Sequence, residues 1–177
     1  MTPAALVDRL AGATIGETFN FYRDGGGADV RRARLRAYLE ARAAAPFILV
    51  GEAAGYRGAR VSGLPFTSER QLSGSSPGEA TATIVQGVLR ALDREGDVLL
   101  WNLVPTHPHA ADDPASNRRP TRAEIEAGLP FVVELARGRR VVAVGRLAHA
   151  ALGDPYVRHP SHGGARAFRE GLVKVLG

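Results

Sequence analysis

Three short apolar runs constrain this chain more than any other feature: Phe47-Ile48-Leu49-Val50, Val98-Leu99-Leu100-Trp101 and Val141-Val142-Ala143-Val144. Each is too short for a helix, and Pro46, Gly51, Asn102 and Gly145 bound them. An unbroken apolar run of that length suits a strand buried on both faces, because side chains on either side of it meet protein. Helical patterns fill the intervals. They cover 3–11 and 29–44, then a segment from Ser76 to about Arg94, and one opening at Thr121 and closing near Gly138. A short helix to Leu152 and a closing helix over 163–176 follow, with Tyr156-Val157-Arg158 between them as a fourth strand. Ser76 with Glu79, and Thr121 with Glu124, have the spacing of capping boxes. Strands alternating with helices predict an α/β fold: a three-layer α-β-α sandwich around a central four-stranded parallel sheet.

Length and composition bound the rest. A chain of 177 residues, 45% hydrophobic and 23% charged, is one globular domain over 1–177. It has no cysteine, which excludes disulfides, thiolate metal sites, iron–sulfur clusters and a cysteine nucleophile. No apolar run reaches membrane-spanning length, and Met1 to Arg9 meets charge too early for a signal peptide. The expectation is a soluble, cytoplasmic monomer. Of the 23 basic residues only Lys174 is lysine. Arginine-rich composition follows from a GC-rich genome, yet a net charge of +5 also suits a polyanion, whose phosphates match guanidinium forks.

In open parallel sheets, ligands sit beyond the carboxyl ends of the strands. Three polar segments begin there, at Gly51, Asn102 and His159. Gly51-Glu52-Ala53-Ala54-Gly55 lacks the spacing of a phosphate loop. Glu52 is either an ion-pair partner for one of the arginines or a carboxylate that orients water and stabilises a developing cation. Asn102, one of three asparagines, is either a turn former or a reader of a nucleobase edge, since its amide sets a donor beside an acceptor. Phe66 lies in the glycine-rich polar loop 51–76 as a core residue or a stacking platform. His107, His109, His159 and His162 raise a metal reading, although each pair contains a proline that limits convergence of its rings.

Together these segments resemble the uracil-DNA glycosylase superfamily. Gly51-Glu52-Ala53-Ala54-Gly55 and Gly63-Leu64-Pro65-Phe66 are similar to motifs of its iron–sulfur branch, as are Asn102-Leu103-Val104-Pro105 and the stretch Asn117 to Ile125. Val142 to Ala148 matches a strand-Gly-x-x-Ala element, and His159-Pro160-Ser161 matches the C-terminal signature. The resemblance spans 47–172 and implies a hydrolase that removes a deaminated base from DNA without metal or other cofactor. Carried over, Glu52 would assist the attacking water, and His159 would stabilise the leaving base. Phe66 would stack on that base and Asn102 would read its edge, with Gly51 and Ala53 lining the base site. Ser161, His162 and Gly163 would contact a DNA phosphate.

The chemistry is coherent, because a glycosidic bond breaks through an oxocarbenium-like state that a carboxylate stabilises, while a donor stabilises the departing base. The base must first leave the stack, which calls for an aromatic floor. The chain departs from the pattern at Ala54, where proline is usual. It also reads His162-Gly163-Gly164 where the best-known branch has a leucine wedge, and it has no cysteine for the cluster. Tyr56 and Arg57 are the candidates for excluding the thymine methyl. Two other functions compete: a metal-dependent phosphoesterase or nuclease built on the four histidines, and a nucleic-acid binder without catalysis.

Overall fold

The computed structural model describes residues 2–177, so Met1, part of the N-terminal reading, lies outside the described residues. The chain runs α1 (Pro3–Gly12), α2 (Ala28–Ala41), β1 (Phe47–Ala53), α3 (Ala59–Ser62), α4 (Glu69–Ser73), α5 (Ala80–Ala91), β2 (Val98–Val104), α6 (Arg122–Leu135), β3 (Arg140–Val144), α7 (Arg146–Leu152), β4 (Tyr156–Val157) and α8 (Ala165–Leu176). The four strands form one sheet in the order β2-β1-β3-β4, and every pairing is parallel. No helix among the described residues is long and apolar enough to cross a membrane.

Strand alternation divides the core into two layers. Ile48, Val50, Leu99, Trp101 and Leu103 face the layer of α1, α2, α6 and α7, where Leu10, Leu35, Val132 and Ala148 meet them. Leu49, Val98, Leu100, Val142 and Val144 face α5 and α8 through Val85, Leu89, Phe168 and Leu172. Both faces are therefore apolar, which is why the strands read as continuous hydrophobic runs. The β1–β2 crossover through α5 lies on one face, and the return to β3 through α6 lies on the other. The chain thus changes winding direction at β1, and a crevice opens at the carboxyl ends of β1 and β3.

The structure moves several expected boundaries. β1 and β2 each run three residues beyond their apolar cores, so Glu52 and Asn102 lie within strands rather than after them. The loop 51–76 contains α3 and α4. The capping box expected at Ser76 and Glu79 does not form: α5 begins after Glu79 with no side-chain cap. A box forms instead at α4, where the Ser68 N–H donates to Oε1 of Gln71 at 2.8 Å. The second expected box is present, with the Thr121 N–H donating to Oε2 of Glu124 at 2.8 Å. Gly128 lets α6 press onto β2, since a Cβ there would lie 2.0 Å from the Leu103 carbonyl oxygen.

Candidate active site

The crevice is a cavity of about 670 Å³ that collects side chains from all three strand ends. Glu52, Ala53, Phe66, Asn102, His159, Ser161 and His162 line it. Gly51 and Gly163 do not, although Gly51 determines its shape. Strand register sets Gly51 directly beside Asn102. A Cβ on Gly51 would stand 2.3 Å from Cζ of Phe66 and 3.0 Å from Oδ1 of Asn102. The missing side chain is what allows the aromatic ring and the amide to converge over the backbone of β1. Phe66 itself holds a positive φ of 49°, an uncommon conformation for a bulky residue. Its carbonyl accepts from the Gln86 amide at 3.2 Å, so α5 helps to hold it there.

Asn102 is only 4% exposed, and among the described residues its side-chain amide has no hydrogen-bond partner. A turn former would spend that amide on local backbone, and Asn102 does not. The amide lines the cleft, so its donor and acceptor are open to water or a ligand there. Glu52 is half-buried and forms no ion pair among the described residues. Burial lifts its carboxyl above the ordinary glutamate range, and the Arg119 guanidinium draws it partly back. His159 fits under Gly145, whose φ of +90° and absent side chain leave space 3.3 Å from the His159 Cβ. Burial, aided by neighbouring His162, holds the His159 imidazole below its ordinary range. Its Nδ1 accepts from the Ser161 N–H at 3.2 Å, so the neutral ring carries its proton on Nε2.

The histidine pairs serve different ends. His107 is fully buried, and its Nδ1 donates to the Ala54 carbonyl at 2.9 Å, bolting the loop after β2 to the loop after β1. Nδ1 of His109 donates to the Ala110 carbonyl at 2.8 Å. Among the described residues no three His, Asp or Glu side chains meet as a metal ion requires, and no cysteine exists to ligate an iron–sulfur cluster. Side chains order the cleft loops in this chain. Oδ1 of Asn117 accepts from the Tyr56 N–H at 2.8 Å. Arg118 grips the buried Glu124 with two bonds of 2.8 and 2.6 Å.

Tyr56 and Arg57 do not line the cleft. The Tyr56 ring is held beside His107, with the Arg60 guanidinium 4.7 Å from its centroid, and Arg57 is exposed over a neighbouring basin. Sequence reasoning missed Glu79. Its carboxyl lies against Gly55 and Gly58, lines the cleft, and is raised above its ordinary range by burial. The Ser-x-x-Glu spacing pointed to a cap, and no local signal pointed to the cleft.

Fold and cleft together define an open three-layer α/β protein with a polar crevice where the sheet changes winding direction. Residues 40–174 match the model of the uracil DNA glycosylase superfamily, and the chain belongs to that family. A type-4 uracil-DNA glycosylase of Pyrobaculum aerophilum is 31% identical over 91 residues, covering 50% of this chain and 43% of that protein. The match therefore spans less than half the length of that relative. The crystal structure of wild-type SMUG2 from Pedobacter heparinus shares the fold, with a TM-score of 0.69 at 14% identity, over 99% of this chain and 97% of that one.

Proposed function

We propose that the chain is a monofunctional DNA glycosylase that hydrolyses the N-glycosidic bond of uracil, or of another deaminated base, and so begins base excision repair. The observation that carries this reading is the Asn102 amide, on the cleft wall without a partner among the described residues, beside the Phe66 ring and sharing the cleft with Glu52 and His159. A planar ligand with a donor and an acceptor on one edge satisfies that amide, and uracil offers both at O4 and N3. Phe66 supplies the face on which an extruded base stacks.

In the reaction the C1′–N bond breaks with its electron pair going to the base. The oxocarbenium that develops on the sugar is stabilised by the Glu52 carboxylate, which also holds the attacking water. The water oxygen bonds to C1′, and its proton passes to Glu52. The base leaves as an anion whose oxygen takes a hydrogen bond from Nε2–H of neutral His159. Arg119, beside Glu52, and the other exposed arginines of the rim suit the phosphates of the bound strand.

The test is direct. The protein is incubated with oligonucleotides carrying a single uracil, hypoxanthine or xanthine, with and without excess chelator, and abasic sites are cleaved with alkali. Cleavage at one or more of these bases, undiminished by chelator, is the expected result. Cleavage that needs added metal returns the phosphoesterase reading. Tight DNA binding with no cleavage at any base leaves the non-catalytic binder.

A further inference from the structure

The histidine end of the cleft carries a chain of hydrogen bonds whose directions follow from a single backbone group. The Ser161 N–H can only donate, and it lies 3.2 Å from Nδ1 of His159. That nitrogen therefore presents a lone pair. The Ser161 hydroxyl lies 2.7 Å from the same nitrogen and can bond to it only as a donor, which spends its one proton. Nδ1 of His162 lies 3.0 Å from that hydroxyl oxygen. With the hydroxyl proton already committed, Nδ1 of His162 must be the donor. The chain runs from His162 Nδ1–H to the Ser161 hydroxyl to His159 Nδ1, and the His159 proton stands on Nε2.

His162 has a φ of +51°, which histidine adopts more readily than most residues but still at a cost, and it lies on the surface. That conformation costs free energy, which an exposed residue without a specific contact does not recover. Here that contact is the Nδ1 bond to the Ser161 hydroxyl, made while the residue stays exposed.

We propose that His162 is a positioning residue for the leaving base: donating through the Ser161 hydroxyl, it holds His159 in its Nε2–H form and strengthens that donor. This rests on the glycosylase reading of the cleft. Two donors on Nδ1 withdraw electron density from the ring, so Nε2–H becomes a better partner for an anionic oxygen, and linked hydrogen bonds polarise one another. The same chain changes the expectation for Ser161. A hydroxyl whose proton is spent on His159 has none to give a DNA phosphate.

Three substitutions separate the chain from general structure. His162→Asn sets an amide N–H where Nδ1–H stood and tolerates the positive φ. His162→Gln moves that N–H one atom too far, and His162→Gly relaxes the backbone while removing the donor. The readouts are ¹⁵N shifts of the His159 ring in DNA-free protein, and single-turnover excision with DNA Kd. In the Gly and Gln variants the His159 pKa should rise and its Nε2–H preference weaken. Excision at saturating DNA should slow roughly three- to tenfold, the worth of one hydrogen bond, whatever His162 also contributes to DNA affinity. His162→Asn should restore both readouts. Parent-like His159 shifts and rates in the Gly variant, or an Asn variant no better than Gly, overturn the proposal. A parent protein that excises no base overturns the glycosylase reading alone, and the His159 shifts still decide the chain.

Discussion

Gly51→Ala is the substitution whose consequence the structure specifies most closely. The added Cβ would stand 2.3 Å from Cζ and 2.9 Å from Cε2 of Phe66, where ordinary contact begins near 3.4 Å. The ring must therefore withdraw by about 1 Å. It has little freedom to do so. The Gln86 amide binds the Phe66 carbonyl at 3.2 Å and Oγ1 of Thr67 at 3.0 Å, and the Ser62 hydroxyl donates to the Thr67 carbonyl at 2.6 Å. Overpacking of this kind costs roughly 1–3 kcal/mol, which for a domain of this size lowers Tm by several degrees. Activity should fall further than stability, because a displacement of about 1 Å in a positioning group costs on the order of a hundredfold in rate. Urea melts and single-turnover excision on uracil oligonucleotides measure the two effects. Gly87→Ala is the control: it lies within α5 with nothing within 4 Å of an added Cβ. Helix propensity alone should stabilise it by about 0.5–1 kcal/mol, with unchanged activity. If Gly51→Ala melts and turns over like the parent, the ring is not held against β1 and the description of the base site is wrong.

Glu52→Gln keeps shape but removes the charge that the proposed reaction sets against the oxocarbenium. Excision should drop on the order of a hundredfold with DNA affinity retained, and unchanged turnover would make Glu52 a bystander. Asn102→Asp should lose most uracil excision and gain weak cytosine excision, since a protonated carboxyl complements the cytosine edge; paired alkali-cleavage assays compare it with Asn102→Ala, which should lose both. The pH–rate profile should have its acid limb above the ordinary glutamate range, because burial raises Glu52 and the proposed reaction uses its carboxylate. His159, lowered by burial, stays neutral further into acid, so Glu52→Gln should remove the limb that Glu52 contributes. Arg118→Ala leaves the 2% exposed Glu124 carboxylate with only the Thr121 N–H as a partner and should cost about 2–3 kcal/mol at neutral pH. Glu124 is held below the ordinary range by Arg118, so this contribution is present above that range and fades as pH falls through the lowered value. Urea melts at neutral and acid pH should show the gap between parent and variant closing.

What the sequence alone determined was the scaffold. Three apolar runs, each bounded by turn-forming or polar residues and separated by helical patterns, admit a parallel sheet covered on both faces, and the sheet has that form. Burial of a strand on two faces is written in its own composition, so no tertiary knowledge was needed. Glu52, Asn102 and His159 were also legible, because polar residues at carboxyl ends of buried strands have a place to go only in the crevice. Tertiary structure decided how these residues meet. The ladder sets Gly51 opposite Asn102, residues 51 positions apart in the chain, and only then does the absent Cβ make room for Phe66. His107 and His159 look alike as His-Pro neighbours in the sequence, yet one is bolted to the Ala54 carbonyl and the other faces the cleft. Ser76 and Glu79 carry the spacing of a cap, but Glu79 is drawn to two glycines that lie more than twenty residues upstream. Local pattern reports what a residue can do over a few neighbours along the chain. Which of those options it takes depends on packing and hydrogen bonding with distant segments, whose free energies exceed a local preference of a fraction of a kcal/mol to about 1 kcal/mol.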